Sequence, residues 1–342
     1  MQLVNEKTKK QIARLSALTL IFSYVELLIP RIIPFFRLGL GNTVMLMGLG
    51  TDFTSGLNFV PFMFLCILKT ISSNLMGGTL FSAFFIVSFV QSVVSAFVMF
   101  VLNYIKKRFP KYFSLYGISI VASAISAFVQ IFISSLYIGQ GTWKLFGVML
   151  IFNVASGIVT AWLAENLQFD VKSLDIKVSI ENNNMQQQNL KIENNKNINN
   201  YIFICFLLIV SVSVFFIKNL YALGIIFILA LISQKIIGRK ILIFPHISLW
   251  LFIFISSLFV PNGKVIFSFW NFSVTQGALI SAIQKALRLS AVSAFSQCAT
   301  KIKPKENTIL GLTLNYYKTM CETFENTQGS IFSKIKTAFF IQ

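Results

Sequence analysis

Several windows of about 20 residues in this chain are nearly free of charge, the length an α-helix needs to cross a hydrocarbon core of about 30 Å. Residues 114–138, SLYGISIVASAISAFVQIFISSLYI, contain no Asp, Glu, Lys or Arg. Lipid offers no partner to a backbone N–H or C=O, so such segments must be helices and not open sheet. Composition agrees: with 56% hydrophobic residues, 12% charged residues and a mean hydropathy of +0.75, too few polar side chains remain to cover a soluble surface. The chain therefore reads as an all-α membrane protein.

Apolar spans fall near residues 12–30, 42–57, 58–75, 79–105, 114–138, 143–166, 201–217, 219–234, 241–260 and 275–299. That is about ten transmembrane helices, six before and four after a polar stretch at 168–200. The stretch is poor in aromatics and rich in Asn and Gln, so it cannot bury enough apolar surface to order itself beyond a short helix at either end. The expected organisation is a membrane domain over 1–167, a cytoplasmic linker over 168–200 and a second membrane domain over 201–342.

The net charge of +18, from 29 basic and 11 acidic residues, would suit a nucleic-acid partner if the cations formed one surface. They do not. They gather as Lys7, Lys9 and Lys10, as Lys106, Lys107, Arg108 and Lys111, as Lys235, Arg239 and Lys240, and as Lys301, Lys303 and Lys305, each group at the end of a span. Counting ten crossings from an inside N-terminus places all four groups on the cytoplasmic face, the positive-inside pattern. The expected location is the cytoplasmic membrane, multi-pass, with both termini inside and the lipid bilayer, not nucleic acid, as partner. The second and third spans are short and broken by Gly and Pro, which leaves a re-entrant course open for either. The first 30 residues lack an A-x-A site after their long apolar stretch, unlike a cleaved signal peptide. Four cysteines, at 66, 205, 298 and 321, show no CxxC spacing and read as buried thiols.

Within this apolar background a few polar residues stand out. Glu26 lies inside the first span, where an uncompensated carboxylate costs at least about 2.5 kcal/mol. It either pairs with Arg31 or Arg37 near the interface or faces a polar pocket. Arg37-Leu38-Gly39-Leu40-Gly41-Asn42 follows Pro30 and Pro34, which forbid a continuous helix. Its glycines allow close backbone approach, and Asn42 is placed to cap the next helix, so a helix N-terminus beside Arg37 could hold an anion or a carbonyl. Lys69 and Asn74 precede a second break at Met76-Gly77-Gly78-Thr79, and Lys69 must either snorkel to an interface or face a cavity. Transporters place substrates at paired interrupted segments of this kind. In the fifth span Ser119, Ser123, Ser126 and Gln130 share a face, the serines suited to helix packing and Gln130 to a ligand. His246, the single histidine, reads as an interface residue, and most of the 37 phenylalanines as lipid-facing or core.

No catalytic constellation emerges, so no enzyme is expected. There is no phosphate-binding G-x-x-x-x-G-K-[ST] loop, and Asp52, Asp170 and Asp175 form no paired magnesium site. Neither a nucleophilic triad nor metal-ligand spacing occurs.

Three stretches, YVELLIPRIIPFFRLGLGNTVML (24–46), ILKTISSNLMGGTLFS (67–82) and GISIVASAISAFVQ (117–130), resemble the membrane family known as heptaprenyl diphosphate synthase component I or Gx transporter. That family is similar to the six-helix substrate-binding S-components of energy-coupling factor vitamin transporters. Ala13-x-x-x-Ala17 resembles the small-residue motif by which S-components dock on their membrane partner. The resemblance implies a flavin as transported ligand, whether riboflavin, FMN or FAD, feeding extracytosolic flavinylation or Rnf-type redox complexes, with no cofactor required for catalysis. Carried onto this sequence it implies substrate contacts from Glu26, Phe36, Arg37, Asn42, Lys69, Asn74, Gly78, Phe81 and Gln130. The family carries an arginine where this chain has Lys69, which keeps the charge and loses the bidentate fork.

The second half, through TQGALISAIQKALRLSAVSAFSQCAT (275–300) and an amphipathic LGLTLNYYKTMCETF (310–324), resembles a shortened T-component, the coupling subunit. Its arginine-bearing motif for gripping ABC ATPases is replaced by Glu325-Asn326-Thr327-Gln328-Gly329. The expected architecture is thus a six-helix S-component-like bundle plus a four-helix T-component-like bundle, with ABC ATPases or a flavin transferase or redox complex as partners. The competing reading is a non-catalytic accessory subunit of prenyl diphosphate synthesis, or a scaffold subunit of a vitamin importer.

Overall fold

The computed structural model describes residues 6–28, 39–50, 57–171, 197–238, 243–260, 262–269, 272–301, 304 and 308–328. Among them are eleven α-helices: α1 Glu6–Leu28, α2 Asn42–Gly48, α3 Phe59–Gly77, α4 Ala83–Arg108, α5 Leu115–Ile138, α6 Phe146–Val171, α7 Asn197–Phe216, α8 Leu220–Ile236, α9 Ile243–Leu258, α10 Gln276–Gln297 and α11 Ile309–Asn326. Short 3-10 turns, Gln140–Leu145 and Cys298–Lys301, flank α6 and α10.

The chain is a helical membrane protein by the length and composition of these elements. Five segments, Phe59–Gly77, Ala83–Arg108, Leu115–Ile138, Gln140–Leu167 and Gln276–Thr300, are long and apolar enough to cross a bilayer, and Ile204–Phe216, Leu220–Ile236 and Ile243–Leu258 are shorter apolar helices. The expected span at 42–57 is not a membrane-length helix. Its helical part, α2, has seven residues, about 10 Å at 1.5 Å per residue.

Helices α3, α4, α5 and α6 pack as successive neighbours, with α1 against α3 and α2 against α6. Small residues set the α5–α6 spacing. Ser119 Oγ donates to the Gly157 carbonyl at 2.7 Å and meets Thr160 Oγ1 at 3.0 Å, while a Cβ on Gly157 would stand 2.6 Å from Ser123 Oγ. In a bilayer, where lipid tails remove the hydrophobic drive between helices, such close contact and bonds of about 0.6 kcal/mol each hold the bundle. The serines at 119 and 123 thus serve packing.

The amphipathic segment at 310–324 forms α11, which lies along α1. Met320 enters the same buried cluster as Ile12, Ala17, Leu18 and Phe62, and Tyr316, Tyr317 and Phe324 pack against it. The Arg14 guanidinium sits over the Tyr316 ring at 5.5 Å.

Helix α10 joins the two halves. It packs on α7, α8 and α9 and reaches α4. Two of its cations cap other helices: Lys285 Nζ donates to the Ile138 carbonyl at 2.6 Å and Arg288 Nη2 to the Ile217 carbonyl at 2.8 Å. Positive charge at a helix C-terminus is favourable because the last carbonyls lack intrahelical partners.

One element escaped the helical reading. Val265–Phe269 and Phe272–Thr275 form an antiparallel hairpin with Phe269 opposite Phe272. Two apolar runs separated by two residues are a hairpin signal, and they lie between the expected spans at 241–260 and 275–299, where no element was expected. Helix enters the polar stretch at 168–200 from both ends, since α6 continues to Val171 and α7 begins at Asn197.

Candidate functional site: a polar cavity in the N-terminal bundle

A cavity lies where α1, α3, α4 and α5 converge on the turn before α2. Its lining comprises Ser23 and Glu26 of α1, Gly39, Gly41 and Asn42 of the turn, Lys69, Thr70 and Ser73 of α3, Ser88, Gln91, Ser92 and Ser95 of α4, and Ser126 of α5. Every one of these residues is polar or glycine. On α4 the spacing 88, 91, 92, 95 is i, i+3, i+4, i+7, so the four polar residues of α4 before Asn103 share one face.

The turn explains how Lys69 is held. Gly39 has φ +73°, Asn42 N–H donates to the Gly39 carbonyl at 2.7 Å, and Thr43 N–H to Leu40 at 3.0 Å. A Cβ on Gly41 would lie 3.1 Å from Lys69 Cε and 3.0 Å from Thr19 Cγ2, so a glycine there lets the lysine stem pass close to the backbone. Lys69, only 8% exposed, then donates from Nζ to Asn42 Oδ1. The side-chain cap expected of Asn42 does not form: Gly41 occupies the cap position and the Asn42 oxygen faces the lysine instead. Of the two readings for Lys69, the structure takes the cavity.

Glu26 is 7% exposed and lines the same cavity. Its Oε1 has no hydrogen-bond partner among the described residues. Arg31, Phe36 and Arg37 lie outside the described residues, and so does any pairing of Glu26 with either arginine.

The remaining sequence candidates are placed elsewhere. Asn74 is fully buried and closes the end of α3: its Nδ2 donates to the Thr70 carbonyl at 2.7 Å and to Ser88 Oγ at 3.3 Å, and its Oδ1 accepts from Thr79 Oγ1 at 2.7 Å. Gly78 ends α3 with φ +67°, and a Cβ there would meet Gln297 Cα at 3.0 Å. Phe81 N–H donates to Ser296 Oγ at 2.8 Å and its ring packs with Leu207, Cys298 and Ala299. Both residues therefore sit at the junction with α10 and not in the cavity. Gln130, fully buried, is one turn beyond Ser126 on α5 and outside the lining. Ala13 and Ala17 are fully buried on α1, the helix along which α11 lies.

The α4 stripe and Ser23 were missed in the sequence reading. Helical spacing of polar residues in a span was the available signal, the same one that singled out the fifth span.

The open volume is about 40 Å³, room for a few water molecules and far below the roughly 300 Å³ of a site that encloses a whole ligand. As it stands the cavity can engage one edge of a molecule through many hydrogen bonds, with a carboxyl group and an amine among the partners. A second cleft, about 650 Å³ between α8 and α9, is apolar, walled by Phe227, Trp250 and Phe254. His246 lies on its wall with its ring edge toward Phe227 at 5.5 Å. No group of three or more His, Cys, Asp or Glu that could hold a metal occurs among the described residues.

Comparison with known proteins gives two family matches. No curated protein and no solved structure matches the chain. Residues 199–301, which include α10, match a domain of unknown function (DUF8519). Residues 15–167, the bundle that holds the polar cavity, match the family described as heptaprenyl diphosphate synthase component I.

Proposed function

We propose that this protein is a membrane carrier component that binds a flavin in the N-terminal bundle and moves it between the two faces of the membrane. The observation that carries the reading is a cavity lined wholly by polar residues and glycine, with Lys69 and Glu26 both buried in it, inside a bundle of membrane-length helices. Intramembrane ionisable residues facing a cavity mark substrate pathways, because lipid contact would cost several kcal/mol. The family match fits a membrane accessory component, and the resemblance of residues 24–46 and 67–82 to flavin-associated carriers supplies the substrate class.

On this reading the cavity as it stands takes one edge of the ligand, and the rest of the ring system lies toward its opening. Binding and rocking suffice for transport, so no general acid or base is assigned. The burial of Ala13 and Ala17 and the packing of α11 on α1 support the second half as the docked, coupling partner of the first.

The test is direct. Protein purified in detergent and denatured should release a flavin identifiable by mass spectrometry, and added flavin should raise its melting temperature. A colourless preparation with no thermal response to riboflavin, FMN or FAD would refute the reading. The family description supplies a second reading, an accessory subunit of prenyl diphosphate synthesis. Magnesium-dependent prenyl transfer gained only when this protein is added to a partner subunit would favour it.

A further inference from the structure

This inference rests on the flavin reading and deepens it. A carboxylate can only accept hydrogen bonds and an ammonium can only donate them. Glu26 and Lys69, each more than nine-tenths buried, therefore make opposite demands on anything that enters their cavity. Glu26 Oε1 lacks a donor among the described residues and requires an N–H or O–H from the ligand. Lys69 already donates to the Asn42 oxygen, and an ammonium with three N–H groups can donate to a ligand oxygen of the same type as well. The serine hydroxyls of the α4 face can donate or accept and so do not choose between ligand edges. A volume of about 40 Å³ admits an edge and not a tricyclic ring.

The geometry points to recognition of the pyrimidine-dione edge of the flavin ring: the imide N–H donates to Glu26 and an adjacent ring carbonyl accepts from Lys69. The ring body and the ribityl chain then lie toward the cavity opening. Specificity follows from the pairing of donor with acceptor. A ligand that loses the imide N–H leaves the buried carboxylate without a partner, a penalty larger than the bond is worth.

The experiment is a fluorescence-quenching titration of the purified full-length protein with riboflavin and with riboflavin methylated at the imide nitrogen. Wild type should bind the methylated compound at least about tenfold more weakly. In Glu26→Leu the two compounds should bind alike, whatever the remaining affinity. Equal binding of both compounds by wild type overturns this inference and leaves the carrier reading standing. Retained discrimination in a folded Glu26→Leu also overturns it, because the preference would then arise elsewhere. Absence of binding by either flavin removes both readings together.

Discussion

Gly78→Ala is the perturbation that most sharply tests how the two halves meet. Two separate penalties arise at this position. The residue ends α3 with φ +67°, a left-handed conformation that costs a side chain with a Cβ about 1–2 kcal/mol. The new Cβ would also meet Gln297 of α10 at 3.0 Å from Cα and 3.1 Å from Cγ, and overpacking of this kind costs about 1–3 kcal/mol. Because the nearest atom is backbone, rotation of the glutamine side chain cannot remove the second penalty. The sum, about 2–5 kcal/mol, is large against ordinary folding stability. Gly78→Asn separates the two, since asparagine tolerates the left-handed region and still carries a Cβ. Stability should be read as the midpoint of a denaturant titration in detergent for wild type, Ala and Asn. The expected order is wild type, then Asn, then Ala. An unchanged midpoint for Gly78→Ala would refute the close approach of α3 to α10, and Asn equal to wild type would assign the whole effect to backbone conformation.

Other expectations follow from single contacts. Ser296→Ala leaves the Phe81 N–H without its partner and should lower stability by about 1 kcal/mol while flavin affinity stays unchanged. Lys285→Met removes the donor to the terminal carbonyl of α5 and should cost about 1–2 kcal/mol in the same titration. Lys69→Ala should weaken ligand binding at least about tenfold, whereas Lys69→Arg restores charge but must fit its fork beside Gly41, a difference that affinity measurement will resolve. Burial on α11 pushes the Cys321 thiol up, so its thiolate is scarce at neutral pH. Its alkylation should be slow at pH 7 and accelerate through a higher pH range than that of a model thiol, and truncating Met320 to loosen α11 should bring the rate back toward the model value.

Membrane character and most helix limits were legible because they are local properties. The uncharged span expected at 114–138 needs a helix whatever surrounds it, and α5 runs from Leu115 to Ile138. The amphipathic pattern at 310–324 likewise foretold α11. Length alone misled at 42–57, where apolar residues continue beyond the seven that form α2. Hydropathy averages over a window and does not register where backbone geometry breaks. The hairpin at 265–275 falls between the expected spans, because runs of four and five residues are too short to register as a membrane-length segment.

The cavity divides along the same line. Sequence by itself determined that Glu26 and Lys69 were costly in an apolar span and that Asn42 stood at a glycine turn, because the penalty for a charge in lipid does not depend on its neighbours. Only the tertiary structure decided that they share one space with the α4 stripe, and that Asn74, Gly78 and Phe81, adjacent to Lys69 along the chain, serve the end of α3 and the contact with α10. Proximity along a helix does not fix which face a residue presents once several helices compete for it. That choice is made by packing, through contacts 27 residues apart between Lys69 and Asn42 and 215 apart between Phe81 and Ser296, which no local pattern records.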